Sequence, residues 1–182
     1  MKKTIVLTAL LISTAAYARP HPAEGGGAPA FEANKTFGLG LELGEPTGLQ
    51  GKWFYSSDKA IDFGIGDIYD YYDYRGVYVY GDHLWHPVSL VNAAAFELPL
   101  YIGVGGSLWH WEDYRFAPRY NGNAIGVRVP IGVTFDFNNT PLDIFIQLVP
   151  TLNLFADAPM GYPRDTLGFF VDGSVGIRYW FK

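Results

Sequence analysis

The chain has no cysteine. That excludes a disulfide scaffold, a thiolate zinc site and a cysteine nucleophile. Charge is also scarce. Only 17% of the 182 residues are Asp, Glu, Lys or Arg, against about 25% in ordinary soluble domains. The formal net charge of −5 speaks against a general binder of nucleic acid or anionic surfaces. Beyond the N-terminus no apolar run approaches the roughly 18 residues of a transmembrane helix, and no segment shows a convincing helical period. What is plentiful is glycine, at 22 residues, and aromatics, at 17%. The length suits one domain.

The first residues read as a secretory signal peptide. Lys2 and Lys3 form a positive start, Ile5 to Ile12 a short apolar run, and Ala16-Tyr17-Ala18 a small-x-small cleavage site. The run is too short for a spanning anchor of about 20 residues, and no cysteine follows the site to carry a lipid. Residues 1–18 are thus expected to be removed. Residues 19–35 hold Gly25-Gly26-Gly27 among several prolines and alanines. So few large apolar side chains predict a flexible lead-in, because ordering entropy outweighs burial there.

From residue 36 the pattern has period two, the signature of strands. Phe37, Leu39, Leu41 and Leu43 share one face, opposite Gly38, Gly40 and Glu42. The longest case runs Ile125, Val127, Val129, Ile131, Val133, Phe135 and Phe137, set against Gly126, Arg128, Pro130, Gly132, Thr134 and Asp136. Eight strands are expected, over 36–44, 48–56, 59–67, 76–86, 95–106, 124–137, 142–154 and 167–181. In 76–86 the valines Val77 and Val79 are placed with the apolar row, because Asp82 then joins the polar one. Pro99, Pro130 and Pro150 predict local bulges or bends.

The polar row is too poor in charge for a water-facing exterior, as a soluble barrel of lipocalin type would need. The other row is nearly unbroken and carries large side chains. Apolar outside and polar inside is the pattern of an outer-membrane barrel, and only a closed sheet satisfies its backbone in lipid. The expected fold is therefore all-β: an eight-stranded antiparallel up-and-down transmembrane β-barrel over residues 36–182. One set of connections is short. The opposite set, Asp67 to Arg75, Ser107 to Asn123 and Phe155 to Thr166, is long and expected to face outward from the cell.

The signal peptide, the eight amphipathic strands and the last strand resemble the small Gram-negative outer-membrane β-barrels, such as the transmembrane domain of outer membrane protein A. In that family the chain ends on an outward aromatic with apolar residues at alternate positions before it. Ile177, Tyr179 and Phe181 match, and Lys182 departs, since the aromatic is normally last. The resemblance implies recognition by the barrel assembly machinery, an outer-membrane location and a monomer. It says little of function, which a fold does not fix.

Eight strands leave an interior just wide enough for side chains. If the first two hairpins centre on Thr47 and Ser57, then Glu42, Lys52 and Asp62 stand side by side in the lumen. Arg128 and Arg178 then neutralise some of Asp82, Asp136, Asp143 and Asp172. This set reads as an ion-pair plug in preference to a gate or proton path, and Lys52→Ala is expected to lower the unfolding midpoint markedly without opening a conductance. In the long loops Tyr71, Tyr72, Trp109, Trp111, Arg115, Arg119 and Arg164 are candidate contacts, to lipopolysaccharide or to an extracellular protein or glycan. Several of these aromatics equally suit an interfacial girdle. Asp67, Asp70 and Asp73 match no defined calcium loop. The histidines His83, His86 and His110, with Ser89 and Ser107, are the candidates for a lipid A deacylase or acyltransferase, but no His-x-Ser occurs. No cofactor and no nucleic-acid partner is implied. The expected role is structural or interactive, through membrane integrity or adhesion, with a lipid A modifying enzyme second and a narrow pore third.

Overall fold

A computed structural model describes residues 29–69, 74–113, 120–157 and 168–181. All the regular elements of these residues are strands: β1 (Phe37–Gly44), β2 (Thr47–Phe54), β3 (Lys59–Tyr69), β4 (Tyr74–Asn92), β5 (Phe96–Asp113), β6 (Tyr120–Arg128), β7 (Ile131–Phe137), β8 (Leu142–Asp157) and β9 (Gly168–Phe181). Consecutive strands pair antiparallel, except that β6 and β7 do not pair each other and both lie between β5 and β8. β4 pairs β5, and β9 returns to β1 from Phe37↔Phe181 to Gly44↔Ser174, so the sheet closes into a ring.

The strands number nine, one more than expected, because 124–137 is broken at Val129–Pro130. Pro130 has no N–H to give to a ladder. The break is local, since Val129 N donates to Pro150 O at 2.9 Å and Gly103 N donates to Pro130 O at 2.8 Å. β6 and β7 thus follow one track between β5 and β8, and the barrel has eight tracks.

The outward and inward rows follow the sequence pattern. Leu43, Leu49 and Phe169 are more than 60% exposed on the outer wall, while Lys52, Arg128 and Arg178 are 1% exposed inside. In β4, Val77 and Val79 face out and Tyr78, Tyr80 and Asp82 face in. The charged residues described on the outward row, Lys59, Asp67 and Glu112, stand near strand ends. Apart from His83, His110 and Asn123, the wall between them is aliphatic, aromatic or glycine.

Three expectations need correction. First, two of the long loops are shorter. β3 runs to Tyr69, β4 starts at Tyr74, β5 runs to Asp113 and β6 starts at Tyr120. Alternation continues through this region because the inner face there carries aromatics rather than polar residues. Second, β4 does not end at residue 86 but continues to Asn92. Register shifts between Trp85 and Val88 and between Ser89 and Asn92 each add one residue to β4, and such bulges turn the following side chains over. His86 continues the inward row of Tyr78, Tyr80, Asp82 and Leu84, and the first bulge brings Ser89 inward as well.

Third, residues 29–35 are not a free lead-in. Ser89 N donates to Pro29 O at 2.9 Å, Ala33 N to Ser57 O at 2.7 Å and Phe54 N to Thr36 O at 2.8 Å. Phe31 is 4% exposed. Its ring lies 5.8 Å from Phe54 and 5.3 Å from His86. The composition argument missed this segment because one aromatic, placed in a preformed mouth, supplies the burial that the average composition lacks. Residues 1–28, with the expected signal peptide and the first part of the lead-in, lie outside the described residues.

Candidate functional site: the barrel interior

The interior is built by the inward row of every strand, in three levels. At the end that holds residue 29 and residue 181, Phe31 covers Lys52 and His86. Lys52 Nζ lies 2.8 Å from His86 Nε2, and it sits 5.1 Å from the Phe54 ring and 4.7 Å from the Tyr101 ring. The space left among Phe31, Lys52, Phe54, His86 and Trp180 is about 10 Å³, the threshold for a single water. Lys35 reaches across to Asp136 and donates to Phe137 O at 3.0 Å.

The middle level is charged. Arg178 Nε lies 3.0 and 3.2 Å from the two oxygens of Asp143, and its Nη1 lies 3.6 Å from Asp62. Trp180 Nε1 donates to Asp143 at 3.0 Å, and Gln50 donates to Asp62. The guanidinium also lies 4.5 Å from the Phe145 ring centroid, a favourable cation–π placement. Beside it Glu42 accepts from Tyr80 at 2.6 Å, from Gln147 at 2.9 Å and from Ser174. Three donors converge on one buried carboxylate, which is how a buried charge is tolerated.

Toward the loop end, Arg128 Nε lies 3.1 Å from Asp82, and its guanidinium sits 3.9 Å from the Tyr80 ring centroid. Above it a cavity of about 160 Å³ opens among Ile68, Tyr78, Trp109, Thr151 and Phe170. Thr151 donates to Asp172 at 3.2 Å.

Nine residues were expected in the lumenal set. Eight are buried on the inward face: Glu42, Lys52, Asp62, Asp82, Arg128, Asp136, Asp143 and Arg178. Asp172 is half-buried. The partners differ from the expected row. Gly44 adopts φ 129°, open to glycine, and Thr47 Oγ1 donates to Gly44 O at 2.8 Å. This turns the chain earlier than Thr47, and Glu42 pairs with Gly48 while Lys52 pairs with Gly38. The second hairpin does place Lys52 opposite Asp62, yet Asp62 bonds Gln50 and Arg178. Tyr78, Tyr80, Tyr101, His86, Gln50, Gln147 and Trp180 complete the interior and were not singled out as site residues. Row parity alone would have found all of them, His86 included, since it continues the even row of Tyr78 and Tyr80.

Trp109 and Trp111 are not loop residues. They stand on the inward face of β5 and are 5% and 2% exposed. Tyr71, Tyr72, Arg115, Arg119 and Arg164 lie outside the described residues. His110 faces outward, Ser107 inward, and His86 and Ser89 lie in the closed end of the lumen. Ile177, Tyr179 and Phe181 form an outward row on β9, with Tyr179 and Phe181 rings edge-on at 5.2 Å and Phe37 stacked on Phe181 at 6.0 Å.

No family model matches the chain, and no curated protein sequence matches it. Among solved structures, the N-terminal β-barrel domain of Pseudomonas aeruginosa OprF is similar, with a TM-score of 0.57 at 11% identity. The alignment covers 80% of this chain and 95% of that one. At this identity the likeness is one of fold, and that fold is a closed antiparallel β-barrel.

Proposed function

We propose that this protein is an integral outer-membrane β-barrel with a closed lumen, exported by its signal peptide and serving as a structural and surface-interaction protein. The observation that carries the reading is the inversion of the barrel: Arg128, Arg178, Lys52 and five carboxylates are inside, and an apolar wall is outside. A charge on a lipid-facing wall costs about 2–4 kcal/mol at the midplane, and the described wall has none away from its ends. The termini then lie in the periplasm, and 70–73, 114–119 and 158–167 lie outside the cell. Trp53, Tyr55, Trp85, Tyr179 and Phe181 form the aromatic girdle of the inner interface, and the last three outward residues of β9 serve the assembly machinery.

The closed lumen is supported from both directions. Phe31 occupies the periplasmic mouth, and the Arg178 and Arg128 pairs fill the middle. In planar bilayers the protein is expected to show no large steady single-channel current, and such currents would refute the closed lumen. For the surface role, replacing 114–119 with a short linker spares Trp109 and Trp111 inside the barrel. It is expected to abolish surface binding or raise detergent sensitivity while the barrel still folds. A variant unchanged in both respects would remove this loop from the function.

A further inference from the structure

The outer wall of β4, β5 and β6 has a feature of its own. At the level of Val77, His110 and Asn123 the outward row turns polar. His110 Nδ1 lies 2.9 Å from Asn123 Oδ1. An amide oxygen only accepts, so Nδ1–H is the donor. That leaves His110 Nε2 as an acceptor and the Asn123 amide hydrogens as donors, on two exposed residues. Below the pair, Val77, Val79, Leu108 and Ile125 line an outward groove of about 270 Å³.

The next step down the same wall is a pair of partnered glycines, Gly81 and Gly106, both outward. A Cβ on Gly81 would meet nothing within 4 Å, and one on Gly106 only Gly126 O at 3.6 Å. The inward glycines are different. At Gly40 a Cβ would come within 2.0 Å of the Ile177 carbonyl. Barrel packing therefore demands glycine at 40 and does not demand it at 81 or 106. There the missing side chains lower the wall and prolong the groove, over a rise of about 13 Å from His110 to Gly106.

We propose that this groove seats an acyl chain of an outer-leaflet glycolipid with amide-linked chains, the chemistry of lipid A. The His110–Asn123 pair hydrogen-bonds the hydroxyl or amide groups at the root of the chain. The inference rests on the reading that this wall faces lipid. The groove is continuous with that wall and ascends to the outer-leaflet end. The pair offers an acceptor as well as donors, which complements hydroxyls and amides.

The test uses the mature chain refolded into phosphatidylethanolamine vesicles containing lipid A, with insertion verified by protease protection. After extraction in mild detergent, native mass spectrometry counts each lipid retained per barrel. The wild type is expected to retain lipid A in preference to phosphatidylethanolamine. Gly106→Leu fills the groove and should lower that retention roughly tenfold, the effect of denying the chain about two buried methylenes. His110→Ala should lower it severalfold. Gly173→Leu, on the outward row of β9 where a Cβ meets only Leu148 at 3.6 Å, should leave it unchanged. Wild-type retention by Gly106→Leu, an equal fall in Gly173→Leu, or no preference in the wild type would overturn the seat. Failure of the wild type to insert would instead overturn the membrane reading beneath it.

Discussion

Replacing Arg178 with Met removes the one cation among the described residues that contacts both Asp143 and Asp62. Arg178 touches Asp143 at 3.0 Å and Asp62 at 3.6 Å, and all three residues are at most 2% exposed. Methionine keeps most of the side-chain volume, so the change is chiefly electrostatic. Two buried carboxylates lose the cation that touches both of them. Breaking a buried pair costs about 3–5 kcal/mol, largely because the survivor keeps its desolvation penalty. Gln50 and Trp180 still donate to the two carboxylates, which keeps the loss within that range despite the second orphan. Arg178→Met/Asp62→Asn/Asp143→Asn removes the whole charge set and is expected to recover most of the loss, to within about 2 kcal/mol of wild type. Lys52→Met is the contrast. Among the described residues Lys52 makes no salt bridge, and its ammonium bonds one His86 nitrogen. Losing that bond should cost no more than about 2 kcal/mol. The expectation of a marked loss at Lys52 presumed a Glu42–Lys52–Asp62 row, which the first hairpin does not form. The assay is equilibrium urea unfolding of the vesicle-inserted barrel, followed by tryptophan fluorescence and by the electrophoretic mobility shift on heating. Arg178→Met within about 1 kcal/mol of wild type, or Lys52→Met costing as much as Arg178→Met, would refute this account of the lumen.

Phe31→Ala should expose the mouth that it covers with little effect on the barrel, because the segment packs from the end rather than within the sheet. A water-soluble amine-acylating reagent should then label Lys52 much faster than in wild type, and equal rates would show that Phe31 is no stopper. Gly64→Val should displace the Tyr80 ring, which a Cβ would meet at 2.5 Å, and so break the Tyr80–Glu42 bond. Hydrogen bonds to a charged group are worth about 1.5–3 kcal/mol, so the unfolding midpoint should fall measurably, and an unchanged midpoint would mean that the ring has another place to go.

The wall of the barrel was legible because its signal is repeated. Each strand must present large apolar side chains at every second position, and a slip by one residue would turn the whole row inward. Val77 and Val79 could thus be placed from Asp82 alone. Errors arose where the inner face stops being polar. Trp109 and Trp111 resemble loop or girdle aromatics by composition, yet they fill the lumen near the loop end, and the strand simply continues beneath them. Phe31 was hidden for the same reason in reverse, as a single aromatic in a stretch whose average argued for disorder. Ser89 required knowledge of a bulge, which adds one residue and has no composition of its own.

The lumenal partners were less legible than the lumenal row, and the cause is geometric. Counting from a turn orders neighbouring strands only, and an error in the turn centre moves every pair along the hairpin, as Gly44 does to Glu42 and Lys52. The bonds that matter here mostly cross the barrel. Tyr80 on β4 and Gln147 on β8 meet at Glu42 on β1. Arg178 on β9 reaches Asp62 on β3, and Lys52 on β2 reaches His86 on β4. An interior only as wide as its side chains brings opposite walls within reach of one another. Each long polar side chain can therefore take partners from strands that are not its neighbours, and level along the axis decides the pairing more than order around the ring. Row membership says which residues share the lumen, but the relative height of non-adjacent strands comes from the accumulated stagger of every hairpin between them. That stagger passes through the Gly44 turn and the β4 bulges, the places where alternation alone is silent.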